Sequence, residues 1–478
     1  MKTKLASLVT VCLLAGLAVG VSLTPTRAAS ADTIADRMYI QKASEVVIWA
    51  QPLMNAIAMR DGFEKDGGAG ANDLLYFKKP IDWRFQITTP NNTTMYAFAF
   101  WKTLEGPMVV EIPPTNPKVD LFGTMMDIWQ RPVIDVGGAG FDKGLGGKYL
   151  LLPPNYNGPY PKGYFVFPQM TYNGWFALRA IVKDFSPETM AAAETLLKKI
   201  RIYPLSKAQN PPAMQHVAAD GKLINGVPIF DLALFEQIND LIQVEPAEER
   251  DRTAYDMLKY IGIKKGEPFK PTEREKGLLA VAVKEAHEDM MALFTEADPS
   301  WRYWPELHWR DIVPFEVVLT EMSWDFPTYT AVTERARFYY GICTSSKQPG
   351  AATRYFIGSY DSKGQMLNGS NKYVLHVPPK VPVSQFWSVL AYDTLNSAAF
   401  IENMPKPGVS SLDNGLNVNS DGSIDLYFAA NPPTGKEANW VPLANGRDFA
   451  LLFRLYGPQA PLSNKSWKFS DLVQVDSF

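Results

Sequence analysis

Cysteine and histidine are the scarce residues of this chain. Cys12 and Cys343 are its two cysteines, and His216, His287, His308 and His376 its four histidines. Cys12 falls in a segment that reads as an export signal, which leaves Cys343 alone, and one thiol forms no internal disulfide. The scattered histidines predict no metal: His287-Glu288-Asp289-Met290-Met291 lacks the second imidazole of a zinc-protease helix, and no His-x-His occurs. Gly-x-Ser-x-Gly, the nucleophile elbow of many hydrolases, is absent too. A net charge of −3 with no Lys/Arg block predicts no nucleic-acid partner. Beyond the N-terminal segment no apolar run reaches the roughly 18 residues of a membrane span.

That N-terminal segment has the three parts of a signal peptide. Lys2 and Lys4 make a basic start, Leu5 to Val21 an apolar centre, and Ala29-Ser30-Ala31 a cleavage signal. It predicts a periplasmic or secreted protein whose mature chain starts near Asp32.

Aromatic residues are abundant: 12 Trp, 21 Tyr and 26 Phe, which suit β-sheet faces and stacking surfaces alike. From Thr33 to about Arg60 the apolar positions recur at helical spacing, with Pro52 expected to kink or divide the helix. Short apolar runs broken by Pro, Gly and Asn follow, the rhythm of a sandwich or barrel. Gly137 to Lys148 fails as a phosphate loop, because Tyr149 stands where Ser or Thr is needed and a strand follows; it reads as a flexible hairpin connection. Ser186-Pro187-Glu188 opens a capped helix, and helical periodicity dominates Ile229–Ile261 and Thr272–Ala297. The expected divisions are a signal peptide (1–31), an N-terminal helical segment (32–79), a first β-sandwich (80–205), a helical connecting region (206–345) and a second β-sandwich (346–478).

Two stretches look like copies. Val109-Val110-Glu111-Ile112-Pro113-Pro114, then Phe122 to Trp129, then Trp175 to Val182, is answered by Tyr373 to Pro379, Phe386 to Asp393 and Phe449 to Tyr456. Each copy carries a strand-borne acid and a later arginine, Asp127 with Arg179 and Asp393 with Arg454. A salt bridge within each pair is the expected use of these charges. The sharper use is general acid–base chemistry by Asp127 or Asp393 beside the aromatic platforms Trp129 and Tyr392. The turn Pro90-Asn91-Asn92, with Tyr96 beyond it, offers amides beside an aromatic ring and suits a hydroxylated or amphipathic ligand. Asn91, Asn92, Tyr96, Trp129, Arg131, Trp387 and Tyr392 are therefore the candidate ligand-binding residues.

The segments Ile87-Thr88-Thr89-Pro90-Asn91-Asn92 with Thr94 and Tyr96, Gly106-Pro107 and the Asp127 strand resemble bacterial proteins whose N-terminal part is the domain of unknown function 1254. Phe386-Trp387-Ser388, Tyr392-Asp393, Asp421-Gly422-Ser423, Asn439-Trp440-Val441-Pro442 and Arg454 to Pro458 resemble their C-terminal partner, the domain of unknown function 1214. Ile261-Gly262-Ile263-Lys264-Lys265-Gly266 fits the connection between them. One departure is Thr93, where members often carry Asp. The resemblance implies two jelly-roll-like β domains joined by helices and implies no agreed activity.

The fold class expected is α+β, mainly β. The expected function is binding of a small or oligomeric ligand, glycan-like or amphipathic, in a cleft between domains, with no cofactor. The alternatives are a hydrolase or lyase working through an aspartate, and a structural or homo-oligomer-forming envelope protein.

Overall fold

A computed structural model describes residues 33–296, 299–350 and 352–478. The segment expected to be a signal peptide, with Cys12, lies outside the described residues. The fold is α+β, with two β-sandwiches around a helical centre.

Each sandwich pairs a large sheet with a four-stranded one. The first large sheet has at its centre β1 (Met95–Lys102), β2 (Val119–Asp127) and β3 (Asn173–Val182), with β3 in the middle and antiparallel to both neighbours. The second repeats this with β4 (Thr353–Gly358), β5 (Trp387–Asp393) and β6 (Phe449–Tyr456), β6 in the middle. The small sheets match as well. Arg201–Pro204, Met108–Ile112, Gly147–Leu152 and Phe165–Pro168 lie in that order in the first. Val473–Val475, Lys372–Val377, Ile424–Ala429 and Trp440–Pro442 do so in the second, each order ending on a parallel pair.

The register makes the duplication residue-specific. Arg179 on β3 faces Tyr96 on β1 and Phe122 on β2, while Arg454 on β6 faces Tyr355 on β4 and Ser388 on β5. Asp127 faces Gly174 and Asp393 faces Phe449, each acid five residues beyond the position opposite its arginine. Phe122 therefore corresponds to Ser388; aligning the copies on Phe386 displaces them by two residues.

Both large sheets alternate strictly, as a pleated strand must. Met95, Ala97, Met125, Phe176 and Leu178 face Val110, Tyr149 and Leu151 of the small sheet across the first core. Val389, Ala391, Leu451, Phe453 and Leu455 do the same against Leu375, Leu426 and Phe428 in the second. The opposite faces of the large sheets turn toward each other and toward helix α1 (Ile34–Gly62), which is wedged between them with α2 (Glu273–Thr295) and α3 (Val332–Gly341).

Several expectations change. α1 runs unbroken through Pro52, after a capping box between Thr33 and Asp36. Tertiary packing outweighs the lost helical bond: α1 is buried on most sides, Arg335 Nη2 donates to the Trp49 carbonyl at 3.0 Å, and Gln130 Nε2 donates to the Pro52 carbonyl at 2.7 Å. The Gly137–Lys148 segment is not a hairpin, since Pro132–Gly137 belongs to the large sheet and Gly147–Leu152 to the small one. Asp142 pins it by accepting from the Gly137 and Gly146 amides at 2.6 and 2.8 Å. Gly137 sits at φ 95°, and a Cβ there would lie 1.7 Å from the Leu121 carbonyl oxygen. The large sheets also recruit edge strands from outside the expected limits: Leu74–Tyr76 and His216–Ala218 join the first, Arg310–Asp311 the second. The aromatic stretch behind that last strand is packed, with Tyr303, Trp304 and Trp309 buried in the second core.

Candidate functional site

Where the two large sheets part around the helices they leave a cavity of about 280 Å³. Tyr96 and Arg179 come from the first sandwich, Tyr355 and Arg454 from the second, so the equivalent tyrosine–arginine pairs of both copies line one space. Strand alternation puts them there, because both arginines sit on the faces their sheets turn toward each other.

These side chains form one polar wall. Arg179 Nη1 donates to the Tyr355 hydroxyl at 2.7 Å. Arg454, 3% exposed, donates to the Tyr392 hydroxyl and to the Thr89 carbonyl at 3.1 Å, and its guanidinium lies 5.5 Å from the centre of the Tyr355 ring. Asn91 Nδ2 donates to the Tyr456 hydroxyl at 2.7 Å, and the Thr93 hydroxyl donates to Asn91 Oδ1 at the same distance. Tyr392 donates in turn to the Pro90 carbonyl at 2.7 Å. Among the described residues neither Arg179 nor Arg454 has a carboxylate in ion-pair contact. Their charges act instead on the phenols. Burial opposes ionisation of Tyr355, yet Arg179 and Arg454 outweigh it and hold its hydroxyl below the usual tyrosine range. Burial raises Tyr392 and Tyr456 above that range.

The rest of the lining is mixed: Thr124, Thr344, Ser345, Ser346 and the Asp311–Arg354 ion pair contribute polar atoms beside apolar side chains. Ile87, Phe98, Ile312, Val318, Phe338 and Leu452 give the cavity its apolar part. It opens beside the short helix Phe315–Leu319, where Phe315 lines the cavity and is 71% exposed. Cys343 is in the wall as well, buried, with Met59 Sδ 3.5 Å from its sulfur and its thiol pushed up to about 12 by burial.

Of the candidate residues, Asn91 and Tyr96 line the cavity and Tyr392 supports its arginine. Asn92, in the same turn, lies outside the cavity lining, its buried Oδ1 without a partner among the described residues. Trp129 is packed against Trp49 with ring centres 4.7 Å apart. Trp387 points into the second core against Phe453. Residues 387 and 392 differ by an odd number, so they face opposite sides of β5.

Asp127, Arg131 and Asp393 are also elsewhere, and neither expected salt bridge forms. Asp127 pairs with Arg131, whose guanidinium forks onto Glu248 at 2.7 Å, and Asp393 pairs with Arg447. The reason is the register. Five residues separate each acid from the position facing its arginine, about 17 Å along a strand, and the odd offset turns it to the other side of the sheet. Neither aspartate lines the cavity, nor does the structure bring them together. No group of three His, Cys, Asp or Glu side chains positioned for a metal occurs among the described residues.

A duplicated β-sandwich protein with a cationic, phenol-rich cavity between its copies is the class that this fold and site define. Residues 71–204 match the family described as Protein of unknown function (DUF1254), and residues 352–460 the one described as Protein of unknown function (DUF1214). The chain belongs to the proteins that join these two domains in this order. Among solved structures it resembles the VPA0106 protein of Vibrio parahaemolyticus, with TM-score 0.55 and 17% identity over 92% of this chain and 100% of that one. An uncharacterized protein from Burkholderia cenocepacia matches at TM-score 0.37 and 10% identity, over 92% of this chain and 95% of the other. No curated protein sequence matches the chain. The likeness to the Vibrio parahaemolyticus protein bears on the fold alone.

Proposed function

We propose that the protein binds a small amphipathic organic anion in the cavity between its two large sheets, in the periplasm or outside the cell. The observation that carries this reading is the pair Arg179 and Arg454, two permanent cations at the wall of one cavity with no carboxylate in ion-pair contact among the described residues. A guanidinium taken out of water needs a counter-charge, and a ligand can supply it. The apolar part of the lining, Ile87, Phe98, Ile312, Val318, Phe338 and Leu452, favours a hydrocarbon body on that ligand. A neutral glycan suits the lining less well, since it would leave both charges uncompensated. The alternative of general acid–base work by Asp127 or Asp393 draws no support from their ion pairs away from the cavity.

Thermal-shift and calorimetric titration with octanoate, octyl sulfate, octyl glucoside and octylammonium tests the reading. These probes share a tail and differ in head charge. Binding of the two anions in preference to the neutral and cationic probes is expected. Equal binding of all four, or of none, contradicts it.

A further inference from the structure

We propose that the anion this cavity takes carries two negative charges on one headgroup, as a phosphate monoester does, with an apolar tail. The inference rests on the amphipathic-anion reading and deepens it.

Charge and reach both point this way. Arginine stays protonated throughout the ordinary pH range, so Arg179 and Arg454 bring two positive charges. They serve one headgroup position: Arg179 bonds the hydroxyl of Tyr355, Arg454 lies over the same ring, and Tyr96, Tyr355 and Tyr456 interact electrostatically with both. A single negative charge between them leaves one guanidinium uncompensated in a largely desolvated wall, whereas two balance it.

The hydrogen-bond inventory agrees. A guanidinium has five N–H donors. Among the described residues Arg179 spends one on Tyr355, and Arg454 meets only the Tyr392 hydroxyl and the Thr89 and Pro90 carbonyls. The three terminal oxygens of a phosphate monoester can accept from both forks at once, and such charge-assisted bonds are the strong ones. Duplication accounts for the arrangement, since one sandwich supplies one arginine and the intact pair exists only where the copies meet.

The test is calorimetric titration of the purified protein at about pH 7.5, where a phosphate monoester carries close to two charges. The probes are octyl phosphate, its methyl diester, octyl sulfate and inorganic phosphate. Octyl phosphate is expected to bind at least about tenfold more tightly than the diester and the sulfate, a difference of about 1.4 kcal/mol. Arg179→Gln or Arg454→Gln should bring that ratio close to one, with circular dichroism confirming that each variant is folded. The comparison among probes on the unaltered protein stands without the variants. If the diester and the sulfate bind as tightly as the monoester, the two-charge inference is overturned while the amphipathic-anion reading survives. If no octyl anion binds, both fall. Inorganic phosphate binding as tightly as octyl phosphate would overturn the tailed ligand in favour of the free ion.

Discussion

Arg179 of the first sandwich donates to the hydroxyl of Tyr355 of the second at 2.7 Å, so the two copies are joined through a charged bond at the wall of their shared cavity. Tyr355 also faces Arg454 across its own strand pair, as Tyr96 faces Arg179. One phenol is therefore held between two cations.

Arg179 should matter more for binding than for folding. Its one hydrogen bond among the described residues is to Tyr355, and removing its charge relieves a desolvation cost, so Arg179→Gln should shift thermal unfolding by only a few degrees. Octyl phosphate affinity should drop at least about tenfold, as expected for loss of a charge-assisted hydrogen bond. Calorimetry beside a thermal melt separates the two effects.

Tyr355 should ionise below the ordinary tyrosine value of about 10. Its folded-state value is lowered, so in the window just below about pH 10 the unfolded chain holds a proton that the folded chain has released. Stability from this group then rises with pH; it is fully present above the unfolded value and lost as pH falls through the folded one. Denaturant unfolding across that window should show the unaltered protein gaining on Tyr355→Phe as pH rises. Parallel curves would remove the two cations from their assigned place.

The two aspartates should behave as structural groups of unequal weight. Asp127 is buried against Arg131, whose guanidinium is itself largely buried, so Asp127→Asn should cost about 2–3 kcal/mol, moderated because Glu248 still holds the arginine. Asp393 pairs with Arg447, whose side chain is 45% exposed, and Asp393→Asn should cost about 1 kcal/mol. Both variants should bind octyl phosphate as the unaltered protein does. Loss of binding in either, with the fold intact by circular dichroism, would return that carboxylate to the functional site.

Cys343 should be inert in the folded protein. Its thiol is buried and pushed up to about 12, so at about pH 8 it stays protonated. Ellman's reagent should react at least about a hundredfold faster in guanidinium chloride. A fast native reaction would mean that the cavity opens to the sulfur.

The duplication was legible because strand-ending Pro-Pro pairs and aromatic-led strands recur, and the Asn91–Tyr96 turn because it sets amides beside an aromatic ring, a pairing that suits a ligand. The use of the charges was not legible. Asp127 and Arg179 lie on paired strands, but the register that sets them five positions apart depends on which residues face each other across the sheet, and a chain read alone shows only its own order. The odd spacing of Trp387 and Tyr392 did carry a usable signal, since both cannot line one face of a strand. Tyr355 carries no such signal in the sequence because its partner Arg179 is 176 residues away.

The most direct measurement is a crystal structure with 8-bromooctyl phosphate, whose bromine and phosphorus mark tail and head separately. The phosphate should lie between Arg179 and Arg454 against the Tyr355 hydroxyl, with the bromine among Ile312, Val318 and Leu452. A phosphate bound elsewhere, with the cavity between the sheets holding only solvent, would contradict it.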